Sequence, residues 1–95
     1  MALVHTNTTV GTIATLICQV PNGIGYTAIN IYNNDTSSIF IGDANITVTA
    51  GSNQGTPITS RGATLQLWLH GGDKLYAISA AGTTAGAVSV IYSGE

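Results

Sequence analysis

Ala63-Thr64-Leu65-Gln66-Leu67-Trp68-Leu69-His70 alternates without a break: Leu65, Leu67 and Leu69 fall on one side, Gln66, Trp68 and His70 on the other. Side chains of an extended chain point alternately to its two faces, so a period of two marks a β-strand. Arg61-Gly62 before the run and Gly71-Gly72-Asp73 after it are turn sequences, because glycine reaches positive φ without steric cost.

Outward from this strand the pattern repeats. Lys74–Ala80 and Ala87–Tyr92 read as strands on either side of the Ala81–Gly86 loop. Upstream, Thr12–Val20, Thr27–Asn33, Ser38–Ile41 and Asn45–Thr49 alternate in the same way, and Asn33-Asn34-Asp35-Thr36 is a turn. Thr56–Ser60 is a further strand that Pro57 confines to an edge. No segment has a helical period. The expectation is an all-β fold, an antiparallel β-sandwich of jelly-roll-like form with seven to eight short strands. Residues 1–11 read as an N-terminal arm and 12–95 as a single domain. The expected core is Leu16, Cys18, Ile29, Ile31, Ile39, Ile41, Ile46, Val48, Leu65, Leu67, Leu69, Leu75, Ile78, Val88 and Val90.

Composition narrows the function. Of 95 residues 44% are apolar and only 6% are charged, against about 25% charged in an ordinary domain. Two cations cannot build a phosphate-binding stripe or a polybasic membrane patch, so neither nucleic acid nor membrane is expected as a partner. No apolar run approaches the roughly 20 residues of a spanning helix. Thr12–Val20 lacks the flanks of a signal peptide.

The residues of chemistry are sparse. Cys18 lies in an alternating apolar segment and reads as a buried thiol. His70 and Asp73 are neighbours, but no third ligand suggests a metal site. Gly23-Ile24-Gly25 lacks the third glycine of a dinucleotide fingerprint, and no serine sits in a nucleophile elbow. The chain reads as a non-enzyme with no catalytic residue, no metal and no cofactor.

Several strands are apolar on both faces, whereas a small sandwich has one dry face per strand. Ile17, Phe40, Trp68 and Tyr76 occupy the second faces. Together with Leu3, Val4 and His5 of the arm they are the candidate residues of a subunit or capsid interface. With so few charges to keep the surface soluble alone, a homo-oligomer is expected, a trimer, with the arm as its gripping element.

The order of motifs from Asn33 to Tyr92 is also familiar. Ile39-Phe40-Ile41-Gly42 is followed by Ile46-Thr47-Val48-Thr49, Gly55-Thr56-Pro57-Ile58 and Gly62-Ala63-Thr64-Leu65. Gly72-Asp73-Lys74-Leu75-Tyr76-Ala77-Ile78-Ser79, Gly82-Thr83-Thr84 and Val88-Ser89-Val90 complete it. This run resembles small virion proteins of tailed bacteriophages, of the head-decoration, cement or head-fibre kind. The resemblance implies a β-sandwich without catalysis that binds the major capsid protein lattice, is made in the host cytoplasm and ends on the capsid surface of the virion. The alternative is a carbohydrate-binding or adhesin-like module on a virion fibre or tail, with Tyr26, Tyr32, Trp68 and Tyr76 stacking on sugar rings.

Overall fold

The computed structural model describes residues 3–23, 25–49, 51–59 and 61–93. Among these, eight strands form and no helix. They are β1 (Leu3–Thr8), β2 (Thr15–Gln19), β3 (Tyr26–Asn33), β4 (Ile39–Gly42), β5 (Thr56–Ile58), β6 (Ala63–His70), β7 (Lys74–Ser79) and β8 (Val88–Ser93). Two four-stranded sheets result: sheet A in the order β1-β8-β3-β6, sheet B in the order β2-β7-β4-β5.

The pairing has a simple rule. β1 pairs with β8, β2 with β7, β3 with β6 and β4 with β5, all antiparallel. The chain is one long hairpin wound around itself. The winding is closed by β3 against β8 and β4 against β7. This is the jelly-roll order, so the sandwich read from the sequence is present in its wound form.

Between the sheets lie Val10, Ile17, Val20, Ile29, Ile31, Ile39, Ile41, Ile58, Ala77, Val88 and Val90, all buried, with Cys18, Leu75 and Tyr92. Burying each large aliphatic side chain contributes about 1.5–3 kcal/mol.

The structure departs from the sequence reading in several places. Residues 3–8 are not a free arm: they pair along their whole length with β8 as the edge of sheet A. β2 starts only at Thr15, and Ile13 is exposed. In β2 the register slips between Leu16 and Cys18. This bulge sets two residues against one, so the consecutive Ile17 and Cys18 both turn inward and Leu16 is left outside. Leu16 is therefore not core, and Ile17 is.

Residues 45–49 form no strand beyond a single bridge from Thr47 to Gln54. Local bonds take over its backbone there. Asp43 Oδ1 accepts from Asn45 N at 2.9 Å, Asn53 Nδ2 donates to Asn45 O at 2.8 Å, and Thr47 Oγ1 donates to Ser52 O. Asx and hydroxyl side chains compete with a ladder in this way. Val48 is consequently half-buried, while Ile46 is buried over Gly42 on the outer side of sheet B. A Cβ on Gly42 would meet Ile46 Cγ2, and one on Gly55 would lie 2.7 Å from Ile41 O. Those two glycines let the 43–55 loop press against sheet B.

The β3–β4 turn is a buried polar knot. Asn33 is fully buried; its Nδ2 donates to Ser37 O at 3.0 Å and Ile58 O at 3.1 Å, and its Oδ1 accepts from Asp35 N at 3.0 Å. Asp35 in turn accepts from Ser37 N at 2.9 Å, Thr84 N at 3.1 Å and Thr84 Oγ1 at 3.0 Å. One turn thereby ties β5 and the 83–86 loop to the end of β3.

Candidate functional site

The outer face of sheet A is assembled from the outward residues of four strands. These are Leu3, His5 and Asn7 of β1, Ser89 and Ile91 of β8, Tyr26, Ala28, Asn30 and Tyr32 of β3, and Thr64, Gln66, Trp68 and His70 of β6. The registers align them in rows. Gln66, Asn30, Ile91 and His5 run across the sheet in one row, and Thr64, Tyr32, Ser89 and Asn7 in the next. No Asp, Glu, Lys or Arg occurs in any strand of this sheet.

The face is open to solvent and rich in rings. Tyr26 is 73% exposed and Trp68 66%. Trp68 stands opposite Ala28, so no large neighbour shields the indole across the ladder. Tyr26 faces His70 edge-on, with ring centroids 5.0 Å apart and planes at 79°. The His70 backbone is held by Asp73, whose Oδ2 accepts from His70 N at 2.7 Å. At the far edge, His5 Nε2 lies 3.0 Å from Ser89 Oγ. The face thus carries aromatic rings, two histidines, amides, hydroxyls and the apolar Leu3 and Ile91, with no Asp, Glu, Lys or Arg.

The interface residues expected from sequence divide into groups. Leu3, His5 and Trp68 share the outer face of sheet A, though on its two opposite edge strands. Phe40 and Tyr76 share the outer face of sheet B, where both are half-buried. Val4 points inward and packs against the core. Ile17 lies inside the core rather than on the outer face of either sheet. Ile91 and His70 belong to the sheet A face and were not singled out. The alternation of β8 and β6 placed them outward, but only the strand order sets them beside Tyr26 and Trp68.

The remaining groups of chemical interest serve the fold. A cleft of about 320 Å³ opens between β1 and β2, lined by Thr6, Thr8, Leu16, Ile17, Cys18, Gln19 and Tyr92. Inside it the Tyr92 hydroxyl donates to Gln19 O at 3.2 Å. Burial pushes the Cys18 thiol above its ordinary range, outweighing the Tyr92 hydroxyl beside it, so the thiol stays protonated at neutral pH. Tyr92 is raised too, by burial first and then by Cys18. Asp35, Asp43 and Asp73 each close a turn. Among the described residues no three of His, Cys, Asp and Glu gather.

Compared with family models, with curated proteins and with solved structures, the chain finds no match.

Proposed function

We propose that this protein is a bacteriophage virion protein of the capsid-decoration kind, which binds and stabilises the head surface as a homo-oligomer through the outer face of sheet A. The observation that carries this is the absence of any charged residue from the four strands of that sheet, together with its exposed Trp68, Tyr26, Leu3 and Ile91. Aromatic side chains with little charge around them make the centre of a protein interface. A surface of hydroxyls and amides bonds a partner's backbone with little dependence on salt. On this reading the protein is made in the host cytoplasm and acts on the virion, by bridging lattice subunits rather than by catalysis. The jelly roll is shared by viral capsid and lectin domains and leaves the choice to the site.

A second reading is favoured by one feature of the same face. The exposed Trp68 is one step along β6 from the paired amides of Gln66 and Asn30, and Tyr26 is exposed on the same face, a combination that suits stacking on a sugar ring. The test separates the two. The protein is mixed with emptied heads of the phage that encodes it and spun through a gradient. It should travel with the heads, and Trp68→Ala or Ile91→Lys should weaken binding about thirtyfold or more, the size of a lost anchor. A protein that stays at the top of the gradient but is retained on a glycan array defeats the decoration reading and establishes the second.

A further inference from the structure

β6 ends sheet A and is hydrogen-bonded on one side only, to β3. About half of its backbone N–H and C=O groups therefore point away from the sheet. An edge of this kind is normally guarded by charge, proline, a bulge or brevity. Sheet B is guarded at both edges: β5 has 3 residues and carries Pro57, and β2 carries the bulge at Leu16/Cys18. β6 has 8 residues, regular throughout, with no charge and no proline.

Its inner face is also short of cover. β5 is the strand of sheet B nearest to it and is much the shorter, so Leu65, Leu67 and Leu69 stay half-buried. The missing partner must supply both a strand and an apolar inner face. β1, the other open edge of sheet A, offers Val4, Thr6 and Thr8 inward. A second β6 offers three leucines.

We propose that β6 is where two copies of this chain join, edge to edge and antiparallel, about a two-fold axis perpendicular to sheet A that passes beside Leu67. Geometry selects the register. Such an axis keeps each face on its own side, so residues that pair must share a face and the axis must fall on a residue, not between two. Of the two central residues, Gln66 on the axis would set Leu69 against Ala63. Leu67 on the axis sets Leu67 against the partner's Leu67 and Leu65 against the partner's Leu69. It also brings the Arg61 end of one strand to the Asp73 end of the other, opposite charges on exposed turns. Sheet A becomes continuous across both copies, and its uncharged outer face is doubled. This is a two-fold assembly, where the sequence alone suggested a trimer, and it does not depend on what that face binds.

Sedimentation equilibrium of the full chain, with no capsid present, reads the association directly. The mass should rise from one chain to two across a concentration series reaching about 1 mM. The double variant Gln66→Lys with Trp68→Lys, both exposed positions, sets four like charges around the axis. It should weaken the dimer at least tenfold and leave the far-UV spectrum unchanged. Leu67→Cys should oxidise to a covalent dimer, whereas the wild type, whose Cys18 is buried, should not. A chain that stays monomeric to about 1 mM, a trimer, a dimer indifferent to the lysines, or a folded Leu67→Cys protein that forms no cross-link would each overturn the proposal.

Discussion

Asn33→Ala tests whether the buried knot at the β3–β4 turn holds the two sheets together. The side chain makes three hydrogen bonds, to Ser37 O, Ile58 O and Asp35 N, and has no exposed surface. A bond of this kind contributes about 1 kcal/mol net, so the direct loss is about 3 kcal/mol. Truncation also strands two carbonyls and an amide; if they stay dry, about 1–3 kcal/mol for each of them sets the cost at about 3–9 kcal/mol. A domain of this length has roughly 5–14 kcal/mol in all. The melting temperature should fall by about 12–24 °C at the lower figure. Urea unfolding should be followed by far-UV circular dichroism, since Trp68 is already exposed in the folded protein and its fluorescence would report little. The midpoint should drop with the slope unchanged. A loss below about 1 kcal/mol would refute the reasoning, because it would mean that water or a shifted turn replaces all three bonds. Asn33→Asp should be worse than alanine at neutral pH, since it turns a donor toward two carbonyls into an acceptor.

Other outcomes follow from the same structure. Ile17→Ala should cost about 2–5 kcal/mol and Leu16→Ala under about 1 kcal/mol by thermal melting, because the bulge buries the first and exposes the second. Backbone amides of Ser37 and Thr84 hold the Asp35 carboxyl below its ordinary value of 3.8, with the Thr84 hydroxyl assisting against burial. The folded value lies below the unfolded one, so this stabilisation is complete above about pH 4–5 and is lost as pH falls through the folded value. In an acid titration the stability gap between wild type and Asp35→Asn should close downward from there. Ser79 Oγ is buried with no hydrogen-bond partner, so Ser79→Ala should stabilise the protein, by up to about 1 kcal/mol in urea unfolding.

What the sequence disclosed depended on how strictly each strand alternates. β3, β6 and β8 have one dominant apolar set at spacing two and β7 is bounded by glycine turns, and the limits of all four are read within a residue or so. β1 escaped because Thr6, Asn7 and Thr8 follow Val4 without an apolar partner, so nothing but its pairing with β8 makes it a strand. Residues 45–49 alternate well, yet the side chains of Asp43 and Asn53 take the backbone of Asn45, the Thr47 hydroxyl bonds Ser52 O, and no neighbour strand competes for them. The bulge at Ile17 could not be read from alternation, since it breaks the rule that alternation assumes. For the site, Trp68 was legible as a second-face residue, and Leu3 and His5 as interface candidates of the arm. Their company was not: that Tyr26 meets His70, or that Ile91 lies between Asn30 and His5, depends on pairings between distant segments.

The two sheets treat their outer faces differently. Sheet B has Phe40, Tyr76 and Ile78 facing outward, but all are buried or half-buried, and its own loop packs on that side, with Ile46 above Gly42 and Gly55 beside Phe40. Its edges carry a bulge and a proline, and the charge of Lys74 lies on its β7. Sheet A has no such loop, no charge and no guarded edge. The polar groups on that side are mostly those of Asn, Gln, Ser, Thr and Tyr, which hydrate well but do not repel a second molecule. A mere shortage of charge in the sequence would have left both sheets equally bare. Instead the protected features collect on one sheet and the unprotected ones on the other, which is the asymmetry that the proposed contacts through sheet A require.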